Sequence, residues 1–257
     1  MNKGTTMKNW MLAISLMILG GSMSACATGG SGANWKEEVL LHDGQKIIVE
    51  RSVERGGRHE IGQKPPYKEQ SLVFTMPISN ETITWEDRYS EDVGSANFLP
   101  MLLDISNGMP YLVVNPMGCL SYNKWGRPNP PYVIFKHDGK AWQRIPLKEL
   151  PTEIKAPNLI FSMPDIKVEE SGKRFMPAEM IRTITEGYRQ PEYKTILREA
   201  FPDAAGSCSE MIHTNNGWEG LGFFKFQESY EACLKYCDRK GVSQQNCPCE
   251  TLFKGAK

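Results

Sequence analysis

The sequence predicts an α+β fold, in which a β-rich N-terminal part built from hairpins precedes a helical, disulfide-braced C-terminal part. In residues 35–165, β-branched and aromatic runs are separated by Gly, Pro, Asn and Asp, which is typical of strands and turns. In residues 166–257, apolar residues recur at helical spacing, and four cysteines cluster near the end. Because strands and helices are segregated along the chain, the α+β class follows. We expect the helical part to pack on the β part.

The N-terminus has the pattern of an export signal. Lys3 and Lys8 precede an apolar run at 10–19, and small residues lead up to Cys26. The run is about half as long as the roughly twenty residues that cross a membrane as a helix. Residues 1–25 are therefore predicted to be a signal peptide.

The ending Met23-Ser24-Ala25-Cys26 resembles the lipobox of bacterial lipoproteins. The resemblance implies that Cys26 is lipidated and that the lipid holds the mature protein in the bacterial cell envelope. Ala27 resembles the residue that lets such proteins reach the outer membrane, where this one would face the periplasm. The glycine-rich stretch 26–34 would be a flexible tether. A signal cleaved without lipidation and a buried N-terminal helix are the alternatives.

The charge of the mature chain is nearly balanced. Two of the 30 basic residues lie in the signal, which leaves 28 bases against 30 acids. This balance gives no electrostatic reason to expect nucleic acid as a partner. The length of 257 residues and the 40% hydrophobic content are sufficient for a well-formed core.

Three hairpins are predicted from Asp43-Gly44, Asn107-Gly108 and Asp138-Gly139, because these dipeptides supply the positive φ angles of tight turns. The strands that flank them are predicted at 39–41 and 47–49, 102–105 and 111–114, and 132–135 and 142–147. Further strands are predicted at 71–75, 82–85 and 159–161.

Three helices are predicted in the C-terminal part. The first follows Pro177 and places Met180, Ile181, Ile184 and Tyr188 on one face. A second apolar stripe comprises Tyr193, Ile196, Leu197, Ala200 and Phe201. The third runs from Gln227 to Lys240 and is ended by Gly241.

Six cysteines remain when Cys26 is set aside, and in an exported protein an even number indicates disulfides. Cys233 and Cys237 are spaced by about 6 Å along a helix, and Cys247 and Cys249 by about 6.6 Å along an extended chain. The two pairs can therefore be joined twice. The spacing resembles the cysteine-stabilised αβ motif of defensins over about twenty residues.

That resemblance implies the links Cys233–Cys247 and Cys237–Cys249. The short connection 241–246 instead favours an antiparallel return, with Cys237–Cys247 and Cys233–Cys249. Elimination then leaves Cys119 to pair with Cys208. A zinc site built from the four clustered thiols is the alternative.

Recognisable catalytic motifs are missing from the sequence. The chain has no Gly-x-Ser-x-Gly elbow, no phosphate-binding glycine loop and no His-Glu-x-x-His helix. The four histidines have no metal-ligand spacing, and we expect turn or surface roles for them. They are His42, His59, His137 and His213. No catalytic residue, metal or cofactor is therefore predicted.

The segment 111–142 stands out by its aromatic residues, prolines and an arginine. Tyr122, Trp125, Arg127 and Tyr132 are candidate binding residues, because such a loop is typical of a recognition surface. The other interpretation is that Tyr122 and Trp125 cap the sheet core while the prolines stiffen the crossing.

Together these patterns predict a lipid-anchored envelope protein with a non-catalytic binding role. Its expected partners are the membrane, through the lipid, and another envelope or periplasmic protein. One concrete form is an immunity protein against a periplasmic toxin. The alternatives are a hydrolase acting on cell-wall or lipid substrates and a structural or assembly lipoprotein.

Overall fold

Two sheets form the centre of the fold in the computed structural model, which describes residues 32–57, 59–202 and 204–255. The first sheet is a meander of four neighbouring strands, joined by one more strand from the C-terminal part. Its meander strands are β1 Gly32–Leu40, β2 Lys46–Arg55, β3 Tyr67–Thr75 and β4 Thr82–Asp87. Because β1 begins at Gly32, residues 32–34 of the predicted tether belong to the sheet. Cys26 lies outside the described residues.

The second sheet is a four-stranded antiparallel meander. Its strands are β5 Phe98–Ser106, β6 Met109–Pro116, β7 Val133–His137 and β8 Trp142–Ile145. The turns between β1 and β2, β5 and β6, and β7 and β8 contain the three predicted Asp-Gly and Asn-Gly dipeptides. In each, the glycine has a positive φ, as hairpin turns of this kind require.

Helices and short strands complete the chain. The helices are α1 Gly118–Lys124, α2 Pro164–Ser171, α3 Ala178–Glu186, α4 Leu221–Lys225, α5 Tyr230–Arg239 and α6 Cys249–Lys254. The short strands are β9 Phe175–Met176, β10 Met211–Thr214 and β11 Gly217–Gly220. β9 lies parallel to β1 at the edge of the first sheet, and β10 and β11 pair with each other. The fold is therefore mixed α+β, as predicted.

Burial patterns show how the sheets are layered. The inward residues of β1–β4 pack against one face of the second sheet, and residues such as Val49, Trp85 and Leu112 share that core. Along β1–β4, buried residues alternate with exposed ones, because the other face of the first sheet meets solvent. β5 and β6 are buried almost continuously, since segments between 147 and 197 cover the far face of the second sheet.

The predicted strand 159–161 is wrong. This segment runs between the clusters of buried residues. Its backbone N–H groups bond to separate partners and not to a neighbouring strand. Leu159 N donates to Met101 O, and Ile160 N donates to the carboxylate of Glu37. Its three apolar side chains enter three different clusters of buried residues. Apolar content alone does not distinguish this buried, irregular segment from a strand.

The predicted helix over 193–201 is also wrong. A 3₁₀ turn, Pro191–Tyr193, is followed by irregular chain. Ile196 N donates to Lys155 O, and the Arg198 guanidinium donates to three carbonyls between 150 and 154. Pairing with this neighbouring segment replaces helical hydrogen bonds. The helices after Pro177 and before Gly241 are confirmed, although the latter begins at Tyr230, where Ser229 accepts from Ala232 N.

All three favoured disulfides are formed: Cys119–Cys208, Cys233–Cys249 and Cys237–Cys247. The two C-terminal disulfides link α5 to Cys247 and Cys249, in the pairing expected for an antiparallel return. The predicted extended tail is wrong, because Cys249 begins α6. Around the two bonds, Phe224 and Val242 complete a small buried cluster. No helix in the described part of the chain is long and apolar enough to cross a membrane.

Candidate binding cleft

An open cleft lies between α1 and the segment 190–208. Its volume is about 570 Å³.

 We call it the Tyr122 cleft. Its described lining comprises Asn115, Pro116, Gly118, Tyr122, Pro131, 190–193, 201 and 204–208. The Cys119–Cys208 disulfide joins its two walls.

The first wall is α1 and the turn after it. Gly118 has a φ of 76°, a conformation that favours glycine, and the helix starts there. At the other end, Arg127 N donates to Tyr122 O and closes the turn. The Arg127 guanidinium lies 5.0 Å from the centre of the Tyr122 ring. The wall is therefore held by its own backbone and by a cation–π contact.

Asn123 and Arg127 fasten the second wall to the first. The Asn123 side chain donates to Ser209 O at 3.0 Å and accepts from Met211 N at 2.9 Å. Arg127 donates through Nη2 to Cys208 O at 3.0 Å and through Nη1 to Ser209 O at 3.1 Å. These bonds supplement the disulfide, so the chain around Cys208 is fixed to α1 at several atoms.

Tyr132 and Asn129 hold the rest of the second wall. The Tyr132 hydroxyl donates to Glu192 O at 2.8 Å and accepts from Leu197 N at 3.3 Å. The Asn129 side chain makes two hydrogen bonds with the backbone of Phe201, at 2.9 and 3.0 Å. The irregular course of 190–201 is thereby determined by polar contacts to the segment before β7.

The lining combines three aromatic rings with a few polar groups. The rings are Tyr122, Tyr193 and Phe201, and the polar side chains are Asn115, Gln190, Glu192 and Ser207. Burial raises the pKa of both tyrosines, so their phenols are neutral hydrogen-bonding groups near neutral pH. A mainly apolar surface with a few oriented polar groups is typical of ligand and protein recognition sites.

The four residues predicted to bind have different places. Tyr122 lines the cleft and is only 6% exposed, while Tyr132, 5% exposed, lies behind its wall. Trp125 packs on the core, with its ring 4.6 Å from that of Phe98. Arg127 joins the two walls through its hydrogen bonds to Cys208 and Ser209. The expected exposed loop is therefore corrected for Tyr122 and Tyr132, whose side chains are buried, and Trp125 caps the sheet core.

The sequence interpretation missed the second wall, residues 190–208. The helical spacing predicts that Tyr193 and Phe201 lie on the apolar face of a helix, which gives no indication of a binding role. Pro191 near its start and Pro202 inside it are the available signal, because proline favours turns and irregular chain.

One histidine has a partner that its sequence position does not reveal. His42 Nδ1 lies 2.7 Å from Asp104 Oδ1, and His42 N donates to the other carboxylate oxygen at 3.0 Å. The hydrogen bond with Asp104 raises the pKa of His42. His59 and His213 are exposed, as expected, but the expected surface role is wrong for His137, which is buried at the end of β7. None of the four is among the described residues lining the Tyr122 cleft.

The clustered cysteines bear on the zinc alternative. The sulfurs of Cys233, Cys237 and Cys249 lie within 4.8 Å of one another. Each belongs to a disulfide, and a disulfide sulfur is not the thiolate that binds zinc. The two neighbouring disulfides therefore account for the closeness of these sulfurs.

No protein-family model matches the chain, and neither a curated protein nor a solved structure matches it significantly.

Proposed function

We propose that this chain is a lipid-anchored protein of the bacterial envelope that binds another envelope or periplasmic protein through the Tyr122 cleft. The cleft itself carries the proposal: about 570 Å³ of open space between walls fixed by a disulfide. A site with fixed walls loses little conformational entropy on binding.

The disulfides support the proposed compartment. All six cysteines that follow Cys26 are paired, and such bonds persist in oxidising surroundings such as the periplasm. Lipid on Cys26 would then place the protein at a membrane surface.

The chemistry of the lining supports binding over catalysis. Among its described residues, Glu192 is the one carboxylate and there is no histidine. Acid–base catalysis needs positioned proton-transfer groups, usually more than one. Aromatic rings and prolines instead suit an apolar side chain of a partner, and the amides of Asn115 and Gln190 suit its backbone.

A pull-down from envelope extract tests this proposal. The full chain, solubilised in detergent, is compared with Ala205→Arg, which places a long side chain in the cleft. Ala141→Arg is the matched control, because Ala141 is exposed in the turn before β8. The partner should be retained by the wild type and the control and lost by Ala205→Arg.

Two results would overturn the proposal. One is a partner retained equally by all three proteins, which would place its site elsewhere. The other is that no envelope protein is retained specifically by a correctly folded, lipidated wild type.

A further inference from the structure

The outer edge of β1 is partly free. In the hairpin, Leu41 N donates to Gln45 O, so the odd-numbered residues of β1 bond to β2. The even-numbered residues point their backbone groups the other way, as Lys36 shows by donating to Arg174 O. By this alternation, Gly32 and Asn34 direct their N–H and C=O groups away from β2.

The short strand β9 covers only a fraction of that edge. It pairs with β1 at Lys36 and Glu37 and ends there. Within the part of the chain that the structure describes, no partner at this edge is found for the backbone of Asn34. An unpaired stretch of strand edge is a template for another strand.

A groove of about 780 Å³ adjoins this free edge. We call it the β1 groove; one side is 32–34 and the other is the loop 172–174 together with α2. At its base, Arg55 forms a two-bond ion pair with Asp165, at 2.6 and 2.9 Å. The hydrogen bonds from Arg55 and Tyr67 outweigh burial and lower the pKa of Asp165, which remains a carboxylate.

The charges of the groove are mostly positive. Its lining contains the bases Arg55, Lys64, Lys173 and Arg174 against the acids Asp165 and Glu169. Lys64 lies 3.8 Å from Glu169, a loose exposed pair. Lys173 and Arg174 are exposed and make no ion pair with any described residue. The groove therefore presents two uncompensated cations beside a free strand edge.

We propose that the β1 groove binds an acidic, extended peptide segment of a partner protein by strand addition to β1. The backbone of Asn34 would supply main-chain hydrogen bonds, and Lys173 and Arg174 would contact the acidic side chains. The chain's own residues 1–31 contain Lys3 and Lys8 and no acid, so their charge does not complement the groove. This site is separate from the Tyr122 cleft and does not depend on the function proposed for it.

Fluorescence anisotropy with short labelled peptides tests the proposal on the full chain in detergent. The probe alternates Val and Glu, and the comparison peptide alternates Val and Lys. A third peptide has the Val–Glu sequence with N-methylated backbone, so it cannot donate to the edge. The Val–Glu peptide should bind about tenfold or more tightly than either of the others.

Two variants locate the binding. Asn34→Pro removes an outward N–H and leaves the ladder to β2, since proline is tolerated on the open side of an edge strand. Lys173→Glu with Arg174→Glu reverses the charge of the loop. Each should weaken binding of the Val–Glu peptide by about tenfold or more. Lys140→Glu with Lys148→Glu, at exposed positions outside the groove, should leave it unchanged.

The proposal is overturned if the wild type does not prefer the Val–Glu peptide. It is also overturned if the charge reversal weakens binding while the N-methylated peptide and Asn34→Pro bind normally, because attraction would then occur without strand addition. If Asn34→Pro does not fold, judged by circular dichroism, the N-methylated peptide decides. Equal loss in the Lys140 and Lys148 control would show a nonspecific charge effect and contradict the site.

Discussion

Arg51 and Glu37 form an ion pair inside the protein. Arg51 Nη1 lies 2.9 Å from Glu37 Oε1, and the two side chains are 1% and 0% exposed. The same nitrogen donates to Ile160 O, and the Glu37 carboxylate also accepts from the Trp35 indole and from Ile160 N. The pair thus joins β1 and β2 to the buried segment around Ile160.

Removing one member of this pair should destabilise the protein strongly. Arg51→Met leaves the carboxylate of Glu37 buried without its cation, which costs about 3–5 kcal/mol of the free energy of unfolding. Urea denaturation measures it. The exposed pair Lys36–Glu50 is the control, and Lys36→Met should cost no more than about 1 kcal/mol. Equal effects of both substitutions would contradict the interpretation.

The Cys119–Cys208 disulfide should stabilise both the fold and the Tyr122 cleft. It closes a long loop, with a sequence separation of 89. Replacing both cysteines by serine should lower the free energy of unfolding by about 2–4 kcal/mol. Hydrogen exchange should also increase over 204–211, because this segment then loses its covalent link to α1 and keeps the weaker hydrogen bonds of Asn123 and Arg127. Unchanged exchange would show that the disulfide is not needed to fix the wall.

Arg127 and Trp125 should have separable roles. Arg127→Ala removes the bonds to Cys208 and Ser209, so it should increase hydrogen exchange mainly in 208–211. Trp125→Ala removes a ring from the core near Phe98 and should cost about 3 kcal/mol of global stability. Similar global effects and no local difference would contradict these assignments.

The His42–Asp104 pair should make stability depend on pH. Because the folded-state pKa of His42 is raised, the pair contributes fully below the unfolded value of about 6.5 and its contribution is lost as pH rises through the raised pKa. An NMR titration of the His42 ring gives that pKa directly. In Asp104→Asn it should fall, since burial then acts without the carboxylate. A pKa of His42 that is the same in both proteins would be inconsistent with the hydrogen bond.

Local chemistry made much of the fold predictable. The Asp-Gly and Asn-Gly turns depend on two adjacent residues, so the three hairpins could be placed from sequence. The C-terminal disulfides could be paired because the connection 241–246 is too short for a parallel return. Each of these features depends on a few residues that are close in sequence.

Long-range pairing explains what was missed. β9 pairs with β1 through two residues from the distant C-terminal part, and Asp104 meets His42 across the fold. The irregular course of 193–201 depends on carbonyls around 150–155. The sequence indicated that Tyr122 belonged to a distinctive segment, but its cleft exists only because Cys208 and Phe201 come from elsewhere. No periodic pattern in the sequence indicates such long-range contacts.

Lipidation of Cys26 is the step on which the proposed envelope location depends most. The direct measurement is the mass of the N-terminal peptide of the full chain purified from bacterial membranes, with Cys26→Ser as the control. We predict a peptide that begins at Cys26 and carries the added mass of a lipid, and no such peptide from the control. A wild-type chain that retains Met1, or that begins at an unmodified Cys26, would contradict the account.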